Sequence, residues 1–332
     1  MSVQVDMNWE YHGMRVIRIE NSRLRVDVLP ALGGKVLNLV DKVADRNVLW
    51  QSPRIPPHPA PLQANFDDHY AGGWDDGFPT CVPCKNEYDD AIPYLGEVWN
   101  LDLSACIEEA GPSIARVRLD GATPITPAGW SRTITLEDDS PSLRLDTSIK
   151  NSGTLPFAFN WGTHAAVSVE PGDQIDVPAT SAMVSEAGGG GGLGVIGDEY
   201  EYPYLLLANG ETVDVRRVQE RSAGSFALHV FNDMTEGWIA VTSGAKRAGF
   251  GLVFDPTVQT SAWQWMNYGG FRGAYHAIIE AWLSPAASLD AALSSKTAKV
   301  LQPGECFSSV VHGVVYSGVE SVTALSADGS VH

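Results

Sequence analysis

Residues 23–30 read "RLRVDVLP". Leu24, Val26 and Val28 fall on one side of an extended chain, with Arg25 and Asp27 on the other, because strand side chains alternate with a period of two. The alternation returns throughout the sequence. "SIARVRLDG" (113–121) repeats it through Ile114, Val117 and Leu119, with one break in step. "SRTITLED" (131–138) and "PSLRLDTSIKN" (141–151) read as a hairpin joined through "DDSP". "GWIAVTSG" (237–244), "GFGLVFDP" (249–256) and "SSVVHGVVYSG" (308–318) continue the series. Gly, Pro, Asn and Asp turns separate the runs, and "SLDAALSS" (288–295) is the clearest helical stretch. The expected fold class is all-β: a large sandwich of antiparallel sheets with few short helices. No linker composition and no fixed-period repeat divides the chain. One domain over residues 1–332 is expected, with a tail from 319.

The chain has 332 residues and is 44% hydrophobic, enough for a large core. Its net charge of -18 disfavours nucleic acid and anionic lipid, which need Lys and Arg to displace counterions. The start "MSVQVDMNWEYHG" has no basic region followed by an apolar one, so no signal peptide is read. No stretch approaches a membrane span. Four scattered cysteines (Cys81, Cys84, Cys106 and Cys306) are too sparse for a disulfide framework, and the cytoplasm is the expected location. "CVPC" (81–84) lacks the second ligand pair of a zinc site. It reads as two ordinary thiols.

Three segments break the alternation. Residues 51–80 are rich in Pro, Gly and aromatics; "EAGGGGGLGVIG" (186–197) reads as a mobile loop; "WQWMNYGGFRGAYH" (263–276) crowds aromatics with Arg272 and His276. Long irregular loops on a β scaffold are where binding residues gather. Trp74 and Asp76, Glu97, Trp161, and then Trp263, Trp265 and Arg272 mix indole rings with hydrogen-bonding groups. Such a mixture suits a sugar, whose C–H faces stack on indoles while its hydroxyls bond to polar side chains. His164 in "FNWGTHAAV" (159–167) and Glu280 in "HAIIEAWL" (276–283) are titratable groups inside apolar strands. Each reads either as a satisfied structural residue or as half of an acid–base pair.

At these residues the sequence resembles the aldose 1-epimerase (galactose mutarotase-like) family, in a divergent bacterial branch. "IENSRLRVDVLPALGGKVLNLVDKVADRNVLW" (19–50) is similar to the family's opening, and "GGWDDGFPTCVP" (72–83) to a loop of that branch. "YLGEVWN" (94–100) lies where that branch has H-G-E-x-W. "NWGTHAAVSVEPGDQI" (160–175) and "IIEAWLSPAASL" (278–289) resemble the strands carrying the catalytic histidine and glutamate, and "LQPGECFSSVVHGVVYSG" (301–318) resembles the closing strand.

The resemblance implies a β-supersandwich with a sugar site on a concave sheet. Glu280 would be the general base at the anomeric hydroxyl, ionised in the working enzyme. His164 would be the protonated general acid at the ring oxygen. No metal or organic cofactor is implied. Leu95 stands where the family has a histidine that holds the sugar near its ring oxygen, and His69 is the candidate replacement imidazole. Arg54 and Arg272 are both candidates for the family's sugar-binding arginine. The expected partner is a small-molecule sugar, with no cationic pocket for a sugar phosphate legible among the dispersed basic residues. The oligomeric state is not legible.

Three readings follow: an isomerase interconverting sugar anomers, a non-catalytic carbohydrate-binding protein on the same fold, or another carbohydrate-active enzyme, such as a lyase or a hydrolase accessory domain. A binding module has no need of an acid–base pair, which favours the first.

Overall fold

The computed structural model describes residues 2–332. Two antiparallel sheets, of 12 and 8 strands, carry the chain. Leu24–Leu29 forms as the alternation demands, with Leu24, Val26 and Val28 fully buried between the sheets. Ala128–Glu137 and Ser142–Asn151 are the expected hairpin, and Cys306–Ser317 pairs alongside it in the smaller sheet. The α-helices among the described residues are Phe66–His69 and Leu289–Ser294. None is long and apolar enough to cross a membrane.

Two expectations change. The glycine run is partly strand: Gly188 and Gly189 end Ser181–Gly189 and pair with Phe226 and Ser225. A Cβ on Gly188 would lie 2.4 Å from the Phe226 ring, which is the physical reason for glycine there. The segment after residue 319 is tied down. Val322 and Leu325 bury against Trp238 and Tyr316 on the outer face of the smaller sheet.

The centre of the large sheet places Lys35–Asp41, Trp74–Gly77, Gly162–Val167, Tyr275–Trp282 and Ser261–Tyr268 side by side. Trp74–Gly77 reads "WDDG", with two carboxylates in succession. A period of two sends them to opposite faces. Asp76 enters the core between the sheets. There Arg132, from the smaller sheet, grips it with both terminal nitrogens, and Trp161 Nε1 donates to its Oδ1 at 3.0 Å. Arg132 also donates to Thr147 Oγ1 at 2.8 Å. Asp75 faces the other way, where Lys35 Nζ sits 2.6 Å from its Oδ2. A buried carboxylate without a cation costs several kcal/mol, so each face of this strand needs its own positive charge.

Arg132→Met leaves Asp76 unpaired in the core. The expected loss is about 3–5 kcal/mol in urea unfolding, with most of it recovered when Asp76→Leu is added.

Candidate active site

Gly162–Val167 pairs with Tyr275–Trp282 in a register that sets His164 opposite Glu280. Directly opposed residues of an antiparallel pair project from the same face, with Cβ atoms about 4.5–5.5 Å apart. On its other side His164 lies opposite Asp75, and Glu280 lies opposite Trp263. Asp75, His164, Glu280 and Trp263 therefore form one row on the face turned away from the smaller sheet. The next row holds Trp282 opposite Gly162, which is itself opposite Gly77. A Cβ at Gly162 would sit 2.0 Å from the Trp282 ring, so glycine opens the slot in which the indole lies. That indole stacks on Trp263 at 4.5 Å and donates Nε1–H to Glu280 Oε2 at 2.7 Å, fixing the carboxyl group.

The irregular segment 51–80 folds over this face. Phe66 and Tyr70 each stand edge-on to His164, with ring centroids 5.7 Å away. A cavity of about 550 Å³ remains between cover and sheet, lined by His164, Glu280, His276, Tyr70 and Trp265 among others. This volume suits a small molecule. Trp50 stacks on His276 at 4.1 Å on the cavity wall.

Burial dominates the electrostatics. It pushes the Glu280 carboxyl up to about 8, against a smaller opposing effect of the Trp282 N–H. It pulls His164 down to about 3, helped by the positive charge of Lys35 and by His276. Asp75 rises to about 6 because burial outweighs the pull of Lys35. At neutral pH Glu280 therefore holds a proton and His164 does not. This is the opposite distribution to the ionised Glu280 and protonated His164 expected of the working enzyme. The reason is loss of water: neither group has a salt-bridge partner among the described residues to offset it. Four polar atoms lining the cavity have no hydrogen-bond partner: His164 Nδ1, both ring nitrogens of His276 and Tyr70 Oη. Buried polar atoms are normally paired, so this cluster is shaped for a polar ligand.

Of the residues singled out from sequence, His164, Glu280, Trp265, Arg54 and Arg272 line the cavity. Trp74, Asp76 and Trp161 do not. They have the opposite strand parity or position and pack in the core between the sheets. Glu97 is also misassigned as a sugar contact: it accepts from the backbone of Ile125 (2.6 Å) and Thr126 (3.0 Å), fastening a loop. Trp263 shares the site's face but is fully buried in the stack with Trp282. His69 bonds to His58 at 2.8 Å and does not line the cavity. Leu95 is fully buried in an apolar cluster with Trp99 and Trp282, so its side chain is a packing element. The residues missed were Lys35, Tyr70 and Arg221, while Asp75 and His276 lay in stretches singled out from sequence but were given no role. Of these His276 had a usable signal, since it precedes Glu280 by four residues and so shares its face.

No protein-family profile matches the chain, and neither does any curated protein. Solved structures do. A putative aldose 1-epimerase from Klebsiella pneumoniae is similar over 94% of this chain and 83% of its own, with TM-score 0.72 and 14% identity. A galactose mutarotase-like protein from Clostridium acetobutylicum matches 96% of this chain and 99% of its own, with TM-score 0.65 and 15% identity. A TPR-domain containing protein from Parabacteroides distasonis matches 91% of this chain with TM-score 0.64 and 17% identity, and the chain spans 47% of its length. The protein has the galactose mutarotase-like β-sandwich fold. At these identities the likeness is one of fold.

The raised Glu280 pKa has a stability consequence. A carboxyl near 4.5 when unfolded and about 8 when folded stabilises the fold fully below pH 4.5 and loses that contribution as pH rises through 8. Glu280→Gln keeps the neutral shape and drops the titration. Its unfolding free energy, measured in urea, is expected to rise relative to the parent between pH 5 and 8, by on the order of 1 kcal/mol per pH unit. A pH-independent difference would contradict the assignment.

Proposed function

We propose that the protein is a carbohydrate isomerase that interconverts the anomers of a sugar by acid–base ring opening. The reading rests on the cross-strand pairing of His164 with Glu280 on the face of a cavity with unpartnered polar atoms. The fold likeness to proteins called putative aldose 1-epimerases supports it.

In the first half of the reaction the Glu280 carboxylate takes the proton of the anomeric hydroxyl. The bond between the anomeric carbon and the ring oxygen breaks, and the His164 imidazolium protonates that oxygen. The product is the open-chain aldehyde facing a protonated Glu280 and a neutral His164. Rotation about the bond between the first two carbons presents the other carbonyl face. His164 then takes the proton back as the ring closes, and Glu280 returns its proton to the anomeric oxygen. One proton crosses between the two residues in each half. The resting pair, with the proton on Glu280, has the distribution that faces the open chain. Binding of a closed ring calls for its transfer to His164.

Saturation transfer between α and β signals, followed by NMR over a panel of aldoses and uronates, tests the reading. Exchange above the spontaneous rate is expected, abolished by Glu280→Gln with sugar binding retained. His164→Asn is expected to slow it about 10²–10⁴-fold. Because the pair needs one proton, the enzymatic rate is expected to fall as pH rises through about 8. Binding without exchange on any sugar would favour a non-catalytic carbohydrate-binding protein, which the unpartnered cavity atoms would serve equally well.

A further inference from the structure

The cavity is chemically polarised along its length. Glu280 lies four residues into its strand from His276, about 13 Å at the usual rise of a strand. Just beyond His276 the chain turns back through residues 269–274 to Ser261–Tyr268. Three arginines line the cavity at this turn: Arg54 from the covering segment, Arg221 from the turn Arg221–Ala223, and Arg272 from the turn itself. They are far apart in sequence, but the fold ties them to successive peptides. Arg54 Nη2 donates to the Arg272 carbonyl, and Arg221 Nη1 donates to the Gly273 carbonyl at 2.8 Å. Neighbouring α-carbons are 3.8 Å apart, so the two guanidiniums are anchored within one residue of each other. Arg221 is further held against the Tyr275 ring at 5.1 Å.

Their charge is not cancelled alike. Arg272 donates to Asp68 Oδ1 at 2.6 Å and lies 4.0 Å from Asp67. Arg54 and Arg221 form no salt bridge among the described residues, and each keeps donors beyond the one given to a carbonyl. Of the other carboxylates lining the cavity, Glu280 is at the far end and Glu186 is the remaining anion. In a chain with an excess of 18 negative charges, two guanidiniums at one cavity mouth without a carboxylate partner among the described residues keep donors free for an anion. A guanidinium presents its donors as a planar fork suited to carboxylate or phosphate oxygens.

We infer that the substrate is an anionic sugar, bearing a carboxylate or phosphate at the end remote from its anomeric carbon, with that group held between Arg54 and Arg221. The reacting pair and the arginines line the same cavity at opposite ends of Tyr275–Trp282, so an anion held at the arginine turn would direct the anomeric carbon toward His164 and Glu280. The inference rests on the isomerase reading for which end points inward, but the anion site stands on the arginines themselves.

Calorimetric titration with glucose, glucuronate and glucose 6-phosphate separates the two. Glu280→Gln serves as the catalytically silent host, and anomer exchange is measured in parallel on the parent. The expected result is that one or both anionic sugars bind about tenfold or more tightly than glucose, as two charge-assisted hydrogen bonds would give. The advantage should shrink with added salt and with inorganic phosphate as competitor. It should be lost in Arg54→Gln/Arg221→Gln and partly kept in Arg54→Lys/Arg221→Lys. Preference for glucuronate or for glucose 6-phosphate distinguishes the two anions. Equal affinity for all three sugars, indifferent to the arginine substitutions, overturns the inference even if exchange is fast. Anion-dependent binding without exchange on any sugar retains the anion site and overturns the isomerase reading instead.

Discussion

The site depends on a two-residue period meeting two consecutive aspartates. Asp75 and Asp76 must leave their strand in opposite directions, and each direction is dry. The core side is answered by Arg132 reaching across from the smaller sheet, and the site side by Lys35 from the neighbouring strand. These pairs do more than neutralise charge. A slip of one residue would bring Asp75 to Arg132 and Asp76 to Lys35, and would turn Trp74 out of the core. The two cations, at different heights and on different sheets, hold Trp74–Gly77 in the register that sets Asp75 beside His164.

From that register the electrostatics follow. Asp75, His164 and Glu280 lie in one row under a cover of aromatic rings, and Lys35 supplies the fixed positive charge at one end. Lys35 favours a neutral imidazole on His164, while burial favours a neutral carboxyl on Glu280. The two shifts are complementary: a single proton settles on the carboxyl because both groups resist charge. The Trp263–Trp282 stack adds direction, since the Trp282 N–H commits one oxygen of Glu280 and leaves the other for the cavity.

Much of this architecture was legible in the sequence. Alternation alone identified the strands, and the apolar settings of His164 and Glu280 marked them as unusual. What alternation does not supply is absolute parity. It says that Trp74 and Asp76 share a face and Asp75 has the other, but not which face meets the core. Which of Asp75 and Asp76 faces the site is a matter of faces that only the partner strands decide. Trp161 and Trp263 illustrate the matching ambiguity of indoles, which fill cores as readily as they stack on sugars. Leu95 looked like a lost sugar contact because its position was judged from motif spacing, while its side chain lies in the packing beneath Trp282. The arginine turn was beyond reach for another reason. Positions 54, 221 and 272 meet through a cover segment, a short turn and a hairpin end, and no local pattern couples them.

The cover itself carries a consequence. Phe66 and Tyr70 belong to the irregular stretch 51–80, whose regular structure amounts to a four-residue helix and the strand Trp74–Gly77. The strands fix where His164 and Glu280 stand, but part of the dryness that shifts them comes from this segment, whose Phe66 and Tyr70 rings stand edge-on to His164. The acid–base character of the pair is thus delegated in part to residues that touch no proton. Insertions or side-chain exchanges within 51–70 would let water in and retune both groups toward their ordinary values, with the strand geometry intact. A scaffold built this way can vary its chemistry by remodelling its roof while its floor is conserved by packing.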